Sequence, residues 1–199
     1  MTRRLADIAG ATLLLLLLMP VLLLGAAAVR AVDGRPVFFG HQRLGRNGRR
    51  FRCWKLRTMR LDAEETLARE PELRSQYVRN GYKLPNGSDP RVTRLGRILR
   101  RTYIDEIPQL WNVLNGTMSL VGPRPIVPDE LEHYAGGEEE LLSERPGIVG
   151  AWTSRGRARP AYPERARIEL DYLRTRSPSR DLIILARTIP VVLRGQGDG

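Results

Sequence analysis

The chain has 199 residues, a formal net charge of +11 and a sequence pI near 10.8. Hydrophobic residues make up 42% of it, which excludes a wholly disordered chain, and its length suits one domain with an attachment. The charge calls for a polyanionic neighbour, which is a nucleic acid, an anionic membrane surface or a phosphorylated substrate. The single cysteine, Cys53, excludes an intramolecular disulfide, and we expect it to be a packed strand residue.

The N-terminal segment has the composition of a membrane element. Residues 11–29 carry no charge, and as a straight helix they would extend about 28 Å, close to the hydrocarbon thickness of about 30 Å. A cleaved signal peptide, a spanning helix and a re-entrant hairpin broken at Pro20 all stay open. Basic residues flank the segment on both sides, which favours re-entry because positive charge remains cytoplasmic. We therefore predict a re-entrant helix–break–helix anchor over residues 1–35 and a domain on the cytoplasmic face over residues 36–199.

The segments that follow predict a β-hairpin and several helices. Residues 37–44 and 49–59 contain alternating apolar and polar side chains and are joined through Asn47-Gly48, a hairpin-turn signal. Residues 91–101 repeat apolar side chains at helical spacing with arginines between them, which predicts a basic amphipathic helix at a membrane interface or against a core. Further helical patterns cover residues 59–77, 164–174 and 181–194. The predicted fold is α+β, mostly helical, with a small β-hairpin, a re-entrant membrane helix–break–helix and interfacial amphipathic helices.

Two adjacent acids, Asp105 and Glu106, lie in a stretch that is otherwise rich in arginine and apolar residues. The positive surroundings predict that both carboxylates stay ionised with a lowered pKa. Pro108 is tolerated only in the first turn of a helix, so we expect that helix to begin near Ile104 or Asp105, with both acids at its positive end. An ionised carboxylate near phosphate-binding groups is what covalent phosphoryl transfer requires of a nucleophile or a magnesium ligand. Neutralisation of nearby arginines on a solvated helix is the plainer alternative.

Two stiff loops carry further arginines. In Gly122-Pro123-Arg124-Pro125 the two prolines restrict the backbone on both sides of the arginine. The second loop is Arg145-Pro146-Gly147, and Gly156-Arg157 follows it. A rigidly held cation suits phosphate binding because little ordering entropy remains to be lost.

In this order, these segments resemble the bacterial sugar transferase family, also called monotopic phosphoglycosyl transferases. The resemblance covers nearly the whole chain, and residues 105–125 are its most specific block. The matching motifs are the apolar segment broken at Pro20, Lys55-Leu56-Arg57-Thr58-Met59, Asp89-Pro90-Arg91-Val92-Thr93-Arg94-Leu95-Gly96, residues 100–113, residues 119–125, Arg145-Pro146-Gly147 and Gly156-Arg157.

The resemblance implies an enzyme that transfers a sugar 1-phosphate from a UDP-sugar to a polyprenyl phosphate, usually undecaprenyl phosphate, and releases UMP. It assigns Asp105 as the nucleophile that forms an aspartyl-phosphosugar intermediate. It also places Mg²⁺ at Asp105 or Glu106, and Glu106 otherwise orients or assists the second attack. The phosphate-binding residues that it implies are Arg100, Arg124 and Arg145, with Lys55, Arg57 and Arg157 as further candidates.

The resemblance also implies a place in the cell. The catalytic domain would lie on the cytoplasmic face of the bacterial inner membrane, against the inner leaflet. There it would initiate the assembly of exopolysaccharide, capsule, lipopolysaccharide O-antigen or glycoprotein glycans. The chain resembles the compact form of the family. Thr153-Ser154-Arg155 stand where family members often carry glutamine after the tryptophan, so no sugar or nucleotide contact is assigned there.

A function from another class is that of a non-catalytic, membrane-tethered basic adaptor for anionic lipid or nucleic acid. Its arginine contacts would be diffuse and their strength would depend steeply on salt. It leaves the Asp105-Glu106 pair unexplained, because acids weaken the binding of a polyanion. We therefore expect the transferase, without a nucleic-acid partner. Neither the sugar nor the oligomeric state follows from the sequence, and a homodimer stays open.

Overall fold

The structure is a computed structural model, and it describes residues 2–84, 87–152 and 160–194. It is α+β and mostly helical, as predicted. The helices are α1 (Thr2–Val32), α2 (Ala63–Arg69), α3 (Pro71–Arg79), α4 (Arg94–Arg101), α5 (Gln109–Leu114), α6 (Glu138–Ser143), α7 (Glu164–Arg174) and α8 (Pro178–Leu193). The strands are β1 (Phe38–Leu44), β2 (Arg50–Leu56), β3 (Ser119–Val121) and β4 (Gly147–Val149). Segments of 3-10 helix cover Arg46–Gly48, Ile104–Glu106 and Pro128–Tyr134.

Strands β1 and β2 form the predicted antiparallel hairpin, in which Phe38 lies opposite Leu56. Asn47, in the turn between them, has a φ of 58°, a left-handed conformation that asparagine adopts more readily than most residues. Phe51 and Cys53 are two residues apart on β2, and both are buried in the main hydrophobic core. Cys53 is therefore the packed strand residue that the alternating pattern predicted.

A second, parallel pair of strands was not expected from the sequence. Strands β3 and β4 pair with Ser119 opposite Gly147. A Cβ atom on Gly147 would lie only 2.0 Å from the backbone nitrogen of Gly122, so this approach of the two chains requires glycine. Strands of three residues are too short to show a two-residue period, which is why the pattern gave no signal. The pairing brings the two proline-stiffened loops of the sequence side by side.

The N-terminal segment forms a single helix, α1, and Pro20 lies inside it. The predicted helix–break–helix is thereby corrected, because residues 2–32 all belong to one helix. Packing explains the continuity. One face of α1 is buried on both sides of the proline, at Asp7 before it and at Leu22 and Val29 after it, so contacts with the domain support both halves.

The opposite face of α1 is apolar and exposed. It includes Leu13, Leu17 and Leu24, which have little contact with the rest of the domain. Within the described part of the chain, Arg3–Val32 is the helix that is long and apolar enough to span a membrane. One side of α1 thus packs against the rest of the domain, while leucine side chains on the other side are exposed.

Both ends of α1 are tied to the same folded domain. Near its N-terminus, the guanidinium group of Arg4 donates hydrogen bonds to the carbonyls of Val113 (2.6 Å) and Leu114 (2.9 Å), at the end of α5. Just after its C-terminus, the Asp33 carboxylate accepts a hydrogen bond of 2.9 Å from the hydroxyl of Thr93, before α4. The helix therefore lies against the domain from one end to the other.

Helix α4 starts at Arg94, three residues later than the pattern suggested. The hydroxyl of Thr93 accepts a hydrogen bond of 2.9 Å from the backbone N–H of Gly96, which caps the helix at this point. Leu99 is buried in the core that α4 shares with α1, β2 and α5, whereas Ile98 is exposed. The helix thus has a side that faces the core, and it also has an exposed apolar residue, Ile98, next to its arginines.

The C-terminal region adds α7 and α8. Helix α7 has the predicted bounds and buries Ile168 and Tyr172. Helix α8 starts at Pro178, earlier than predicted, because the hydroxyl of Ser177 accepts a hydrogen bond of 3.2 Å from the N–H of Arg180 and caps it. Since α8 packs on β3 and β4, it covers the second sheet.

Candidate active site

Asp105 and Glu106 lie in the 3-10 turn between α4 and α5. The sequence predicted a helix from residue 104 or 105, but α5 begins at Gln109, directly after Pro108. Proline has no N–H to donate to the carbonyl of Ile104, which accepts instead from the residue before the proline at 3.3 Å. The two acids therefore precede α5 and are not part of its first turn.

The two carboxylates have different surroundings. Asp105 is only 4% exposed. Glu106 is half-buried and accepts a hydrogen bond of 2.5 Å from the ammonium group of Lys55 on β2. One acid is thus shielded from water, and the other is paired with a cation.

Burial raises the pKa of Asp105 from 3.8 to about 6, although the charge of Lys55 acts in the opposite direction. Burial also acts to raise the pKa of Glu106, but the charge and hydrogen bond of Lys55 outweigh it, and this pKa is lowered. The predicted lowering is therefore confirmed for Glu106 and wrong for Asp105. The reason is that the loss of hydration on burial destabilises the ionised Asp105 carboxylate more than the nearby cations stabilise it.

Two of the predicted phosphate-binding arginines lie beside these acids. Burial lowers the pKa of Arg100, and Asp105 is the strongest of the charges that oppose this effect, so the two groups are close. The Nε of Arg100 also donates a hydrogen bond of 2.9 Å to the hydroxyl of Thr58. The guanidinium carbon of Arg124 lies 5.8 Å from the centre of the Trp152 ring. These contacts hold both cations in defined positions.

A cavity of about 450 Å³ opens beside Glu106. Its size is within the range of roughly 300–1,000 Å³ that is usual for small-molecule sites. Asp105 is not itself among the lining residues, but its neighbours on both sides, Ile104 and Glu106, are. Helices α1 and α8 supply apolar parts of the wall. The charged lining residues are Arg43, Lys55, Lys83, Glu106 and Arg124.

Lys55 lines the cavity as well, but two other predicted phosphate-binding residues, Arg57 and Arg145, contact backbone carbonyls instead. The guanidinium group of Arg57 donates hydrogen bonds to the consecutive carbonyls of residues 33–35, and so holds the turn after α1. The Nε of Arg145 donates to the carbonyl of Gly116 at 2.7 Å. Both arginines are in the described part of the chain, and neither lines the cavity. Arg157, like the rest of residues 153–159, lies outside the described residues.

The sequence analysis missed Arg43, Lys83 and Glu169. Lys83 is one of only two lysines in a chain whose other basic residues are arginine, and that contrast is a signal that could have drawn notice. Arg43 and Glu169 carry no such signal. They belong to ordinary strand and helix patterns, and only the packing brings them to this region.

Glu169, on α7, is fully buried and joins Tyr134 to two residues of the cavity wall, Arg124 and Trp152. Its carboxylate accepts hydrogen bonds from the Tyr134 hydroxyl (2.6 Å), the Trp152 indole N–H (2.8 Å) and the backbone N–H of Arg124 (3.3 Å). Burial raises the pKa of Glu169, although the charge of Arg165 opposes this effect. Glu169 therefore sets the positions of the Arg124 loop and of Trp152 at the cavity.

The carboxylate pair fits a magnesium ion that a substrate also holds. Mg²⁺ is usually bound through one or two carboxylates together with substrate phosphates. Glu106 lines the cavity and Asp105 adjoins it, so oxygen ligands of this kind are present. Among the described residues, no group of three or more His, Cys, Asp or Glu side chains could hold a metal by itself. The protein's share of such a site would be Asp105 or Glu106.

Comparison with known proteins shows the family to which the chain belongs. A family model described as bacterial sugar transferase matches residues 1–195, and the chain belongs to that family. The exopolysaccharide production protein ExoY of Rhizobium meliloti is 41% identical over 201 residues, which cover 99% of this chain and 88% of ExoY. The UDP-galactose-lipid carrier transferase of Erwinia amylovora is 41% identical over 199 residues, which cover 98% of this chain and 41% of the relative.

A further relative is the undecaprenyl-phosphate galactose phosphotransferase of Salmonella typhimurium. It is 44% identical over 169 residues, which cover 83% of this chain and 35% of the relative. The chain therefore spans less than half the length of the Erwinia and Salmonella proteins, but most of the length of ExoY.

Proposed function

We propose that this protein transfers a sugar 1-phosphate from a UDP-sugar to a polyprenyl phosphate, undecaprenyl phosphate in the bacterial membrane, and releases UMP. The observation that carries the proposal is the buried carboxylate of Asp105, directly next to a cation-lined cavity that a membrane-type helix also lines. Relatives named for transfer to a lipid carrier and to undecaprenyl phosphate support these substrate classes. The name of ExoY supports a role in exopolysaccharide production, and we propose that the transfer initiates the assembly of the glycan.

In the first step, an oxygen of ionised Asp105 attacks the sugar-bearing phosphorus of the UDP-sugar. The bond from that phosphorus to the bridging oxygen breaks, and UMP leaves with the electron pair. Lys55, Lys83 and Arg124 line the cavity and would balance the negative charge of the diphosphate and of the leaving UMP. Arg100, which is close to Asp105, favours the ionised carboxylate that attacks.

In the second step, a phosphate oxygen of the polyprenyl phosphate attacks the same phosphorus. The acyl phosphate bond breaks, the Asp105 carboxylate is regenerated and a polyprenyl diphosphate sugar is formed. Glu106 stays ionised through its contact with Lys55, and we assign it to orient or assist the attacking phosphate. When bound, Mg²⁺ would screen the charge of the diphosphate, with Asp105 or Glu106 as its protein ligand.

We also propose that α1 lies in one leaflet of the membrane as an unbroken helix with both of its ends on the same side, and that residues 36–199 form the catalytic domain on the cytoplasmic face of the inner membrane. Both ends of α1 contact the same domain, so the helix follows the domain rather than crossing away from it. Its exposed leucines would face lipid. Ile98 and Trp111 are also exposed, and they lie on α4 and α5, which both pack on α1. Tryptophan favours the membrane–water interface.

Replacement of the nucleophile tests the proposal. Asp105→Asn keeps the size of the side chain and removes the attacking charge, so UMP release from a UDP-sugar in the presence of undecaprenyl phosphate should fall to background. Glu139→Gln, at an exposed acid on α6, is the matched control and should leave the rate unchanged. Retained turnover in Asp105→Asn would dismiss the nucleophile role. A panel of UDP-sugars in the same assay would identify the sugar.

A further inference from the structure

The cavity has an apolar wall that the transfer chemistry itself does not need. Leu14, Leu18 and Val21 of α1 face it, and Leu185 and Val192 of α8 face it as well. Leu14, Val21 and Val192 line the cavity and are nevertheless exposed. The cavity therefore reaches the surface between α1 and α8.

Helix α8 has an apolar outer face as well. Leu182, Ile183 and Ile189 are exposed along it. The helix has 16 residues and extends about 24 Å, which is shorter than the hydrocarbon layer of about 30 Å. It is thus too short to span a bilayer, but its exposed apolar residues lie on a helix that lines the cavity together with α1.

The lining suits an amphiphile rather than a molecule that is polar throughout. Among the described lining residues of α8, the polar one is Thr188, and its hydroxyl donates a hydrogen bond of 2.8 Å to the carbonyl of Ile184. That hydroxyl needs no partner in the cavity, so the wall can accept an apolar chain. The same cavity contains Lys55 and Arg124, which suit a phosphate. A phosphate head with a hydrocarbon tail matches both parts.

We propose that α8 and α1 together bind the isoprenoid chain of the acceptor, and that α8 is the wall that distinguishes a long chain from a short one. This inference rests on the proposed function, because it concerns the acceptor of that reaction. The acceptor phosphate lies with Lys55 and Arg124. Its isoprene units pass Leu185 and leave between Val21 and Val192 towards the lipid.

The experiment compares two acceptors, undecaprenyl phosphate and a phosphate with only two isoprene units. Leu185→Asn replaces an apolar wall residue by a polar one of similar size. It should raise the KM for the long acceptor about tenfold, which corresponds to about 1.4 kcal/mol, and leave the KM for the short acceptor unchanged. The UMP released in the first turnover without acceptor should not change. Leu182→Asn, the same replacement on the exposed side of α8, is the matched control and should change none of these quantities.

Equal effects of Leu185→Asn on both acceptors, or no effect on either, would overturn the inference. If that variant does not fold, Val192→Asn, at the exposed cavity mouth, takes its place. Its KM should then rise for the long acceptor and stay unchanged for the short acceptor. Phosphatidylglycerol vesicles test which lipid occupies the cavity. Competitive inhibition by the vesicles would show that an ordinary membrane lipid fills the cavity, and this result would also overturn the inference. Unchanged KM values in the presence of the vesicles support the inference. If the wild-type protein releases no UMP with either acceptor, the proposed transfer fails, which is a different result.

Discussion

At the scale of single residues, Asp105 and Glu106 differ in their surroundings, and this difference suits the separate roles that they have in the proposed transfer. Burial holds Asp105 at a pKa of about 6, while Lys55 keeps Glu106 ionised. Neighbouring carboxylates whose pKa values are moved apart can take separate roles. Asp105 suits the attack on phosphorus, and Glu106 suits the placement of the second substrate. A charged group held in a buried position in this way usually lowers the stability of the fold.

Asp105→Asn should make the folded protein more stable at neutral pH while it removes activity. The folded-state pKa of about 6 lies above the unfolded value of 3.8, so the folded state binds the proton more tightly and stability falls as pH rises through this window. The difference corresponds to about 3 kcal/mol at pH 7 and above, and asparagine does not titrate. Urea unfolding in detergent at about pH 4 and about pH 7.5 measures the gain, which should be larger at the higher pH.

Glu106→Gln is the matched comparison and should act in the opposite direction. The pKa of Glu106 is lowered in the folded state, so its contribution to stability is present above the unfolded pKa of 4.5 and is lost as pH falls through the folded pKa. Removing the charge also deprives Lys55 of its partner at 2.5 Å. This variant should be less stable than the wild type at neutral pH. A gain in stability in both variants would contradict the assigned environments.

The pH dependence of the first step should report the same ionisation. In the proposed transfer Asp105 attacks as the carboxylate, so the rate of UMP release in the first turnover without acceptor should rise with pH through about 6 and then level off. A series of single-turnover measurements between about pH 5 and pH 8 covers the transition. A profile that stays flat down to pH 5 would show that the attacking group has an ordinary carboxylate pKa.

At the scale of elements, the close approach of α4 to the segment after β2 positions Arg100. A Cβ atom on Gly96 would lie 2.0 Å from the carbonyl oxygen of Thr58. The Nε of Arg100, one helical turn further along α4, donates to the hydroxyl of the same threonine. Gly96 thus allows the contact that holds a cation beside Asp105.

Gly96→Ala should therefore reduce both stability and activity, although alanine is the better helix former. The added methyl group forces α4 away from the Thr58 carbonyl, and overpacking of this kind costs about 1–3 kcal/mol. Arg100 moves with the helix, so UMP release should fall as well. Gly87→Ala is the control, because nothing lies within 4 Å of a Cβ atom there. Unfolding curves and UMP release that are the same for both variants would refute this role of Gly96.

At the scale of the whole molecule, the contacts of α1 determine how the protein can sit in a membrane. Both ends of this helix are bound to one domain, and its exposed leucines point away from that domain. A spanning helix would have to release one of these ends. The proposed placement, with both ends of α1 on one side of the membrane, keeps both sets of contacts and would leave the domain and its cavity at the membrane surface, where a lipid phosphate is presented.

Cysteine labelling tests this topology directly. Ala6 and Ala31 are exposed near the two ends of α1, and the native Cys53 is buried, so it should react little. A membrane-impermeant maleimide should label Ala6→Cys and Ala31→Cys in inside-out vesicles and neither of them in intact cells. Glu139→Cys, on the domain, gives the pattern for the cytoplasmic side. Labelling of one α1 position from each side would show a spanning helix.

Local patterns in the sequence were enough for much of the fold. The alternation at Phe51 and Cys53 predicted the hairpin, and the spacing of apolar residues predicted α4 and α7, because each pattern depends on neighbours within a few residues. The Asp105-Glu106 pair and Arg124 were also visible, since their signal lies in adjacent residues. The parallel pairing of β3 with β4 was not visible, because it joins short strands that are far apart in the chain.

The sequence by itself therefore determined the β1–β2 hairpin, several of the helices, the apolar character of the N-terminal segment and the presence of the Asp105-Glu106 pair. Only the tertiary structure decided that Asp105 is buried with a raised pKa, that α1 continues through Pro20, and that Arg43, Lys83 and Glu169 join the site while Arg57 and Arg145 hold backbone carbonyls. The physical reason is that periodicity and turn chemistry act between near neighbours, whereas desolvation and charge pairing depend on which distant segments pack together.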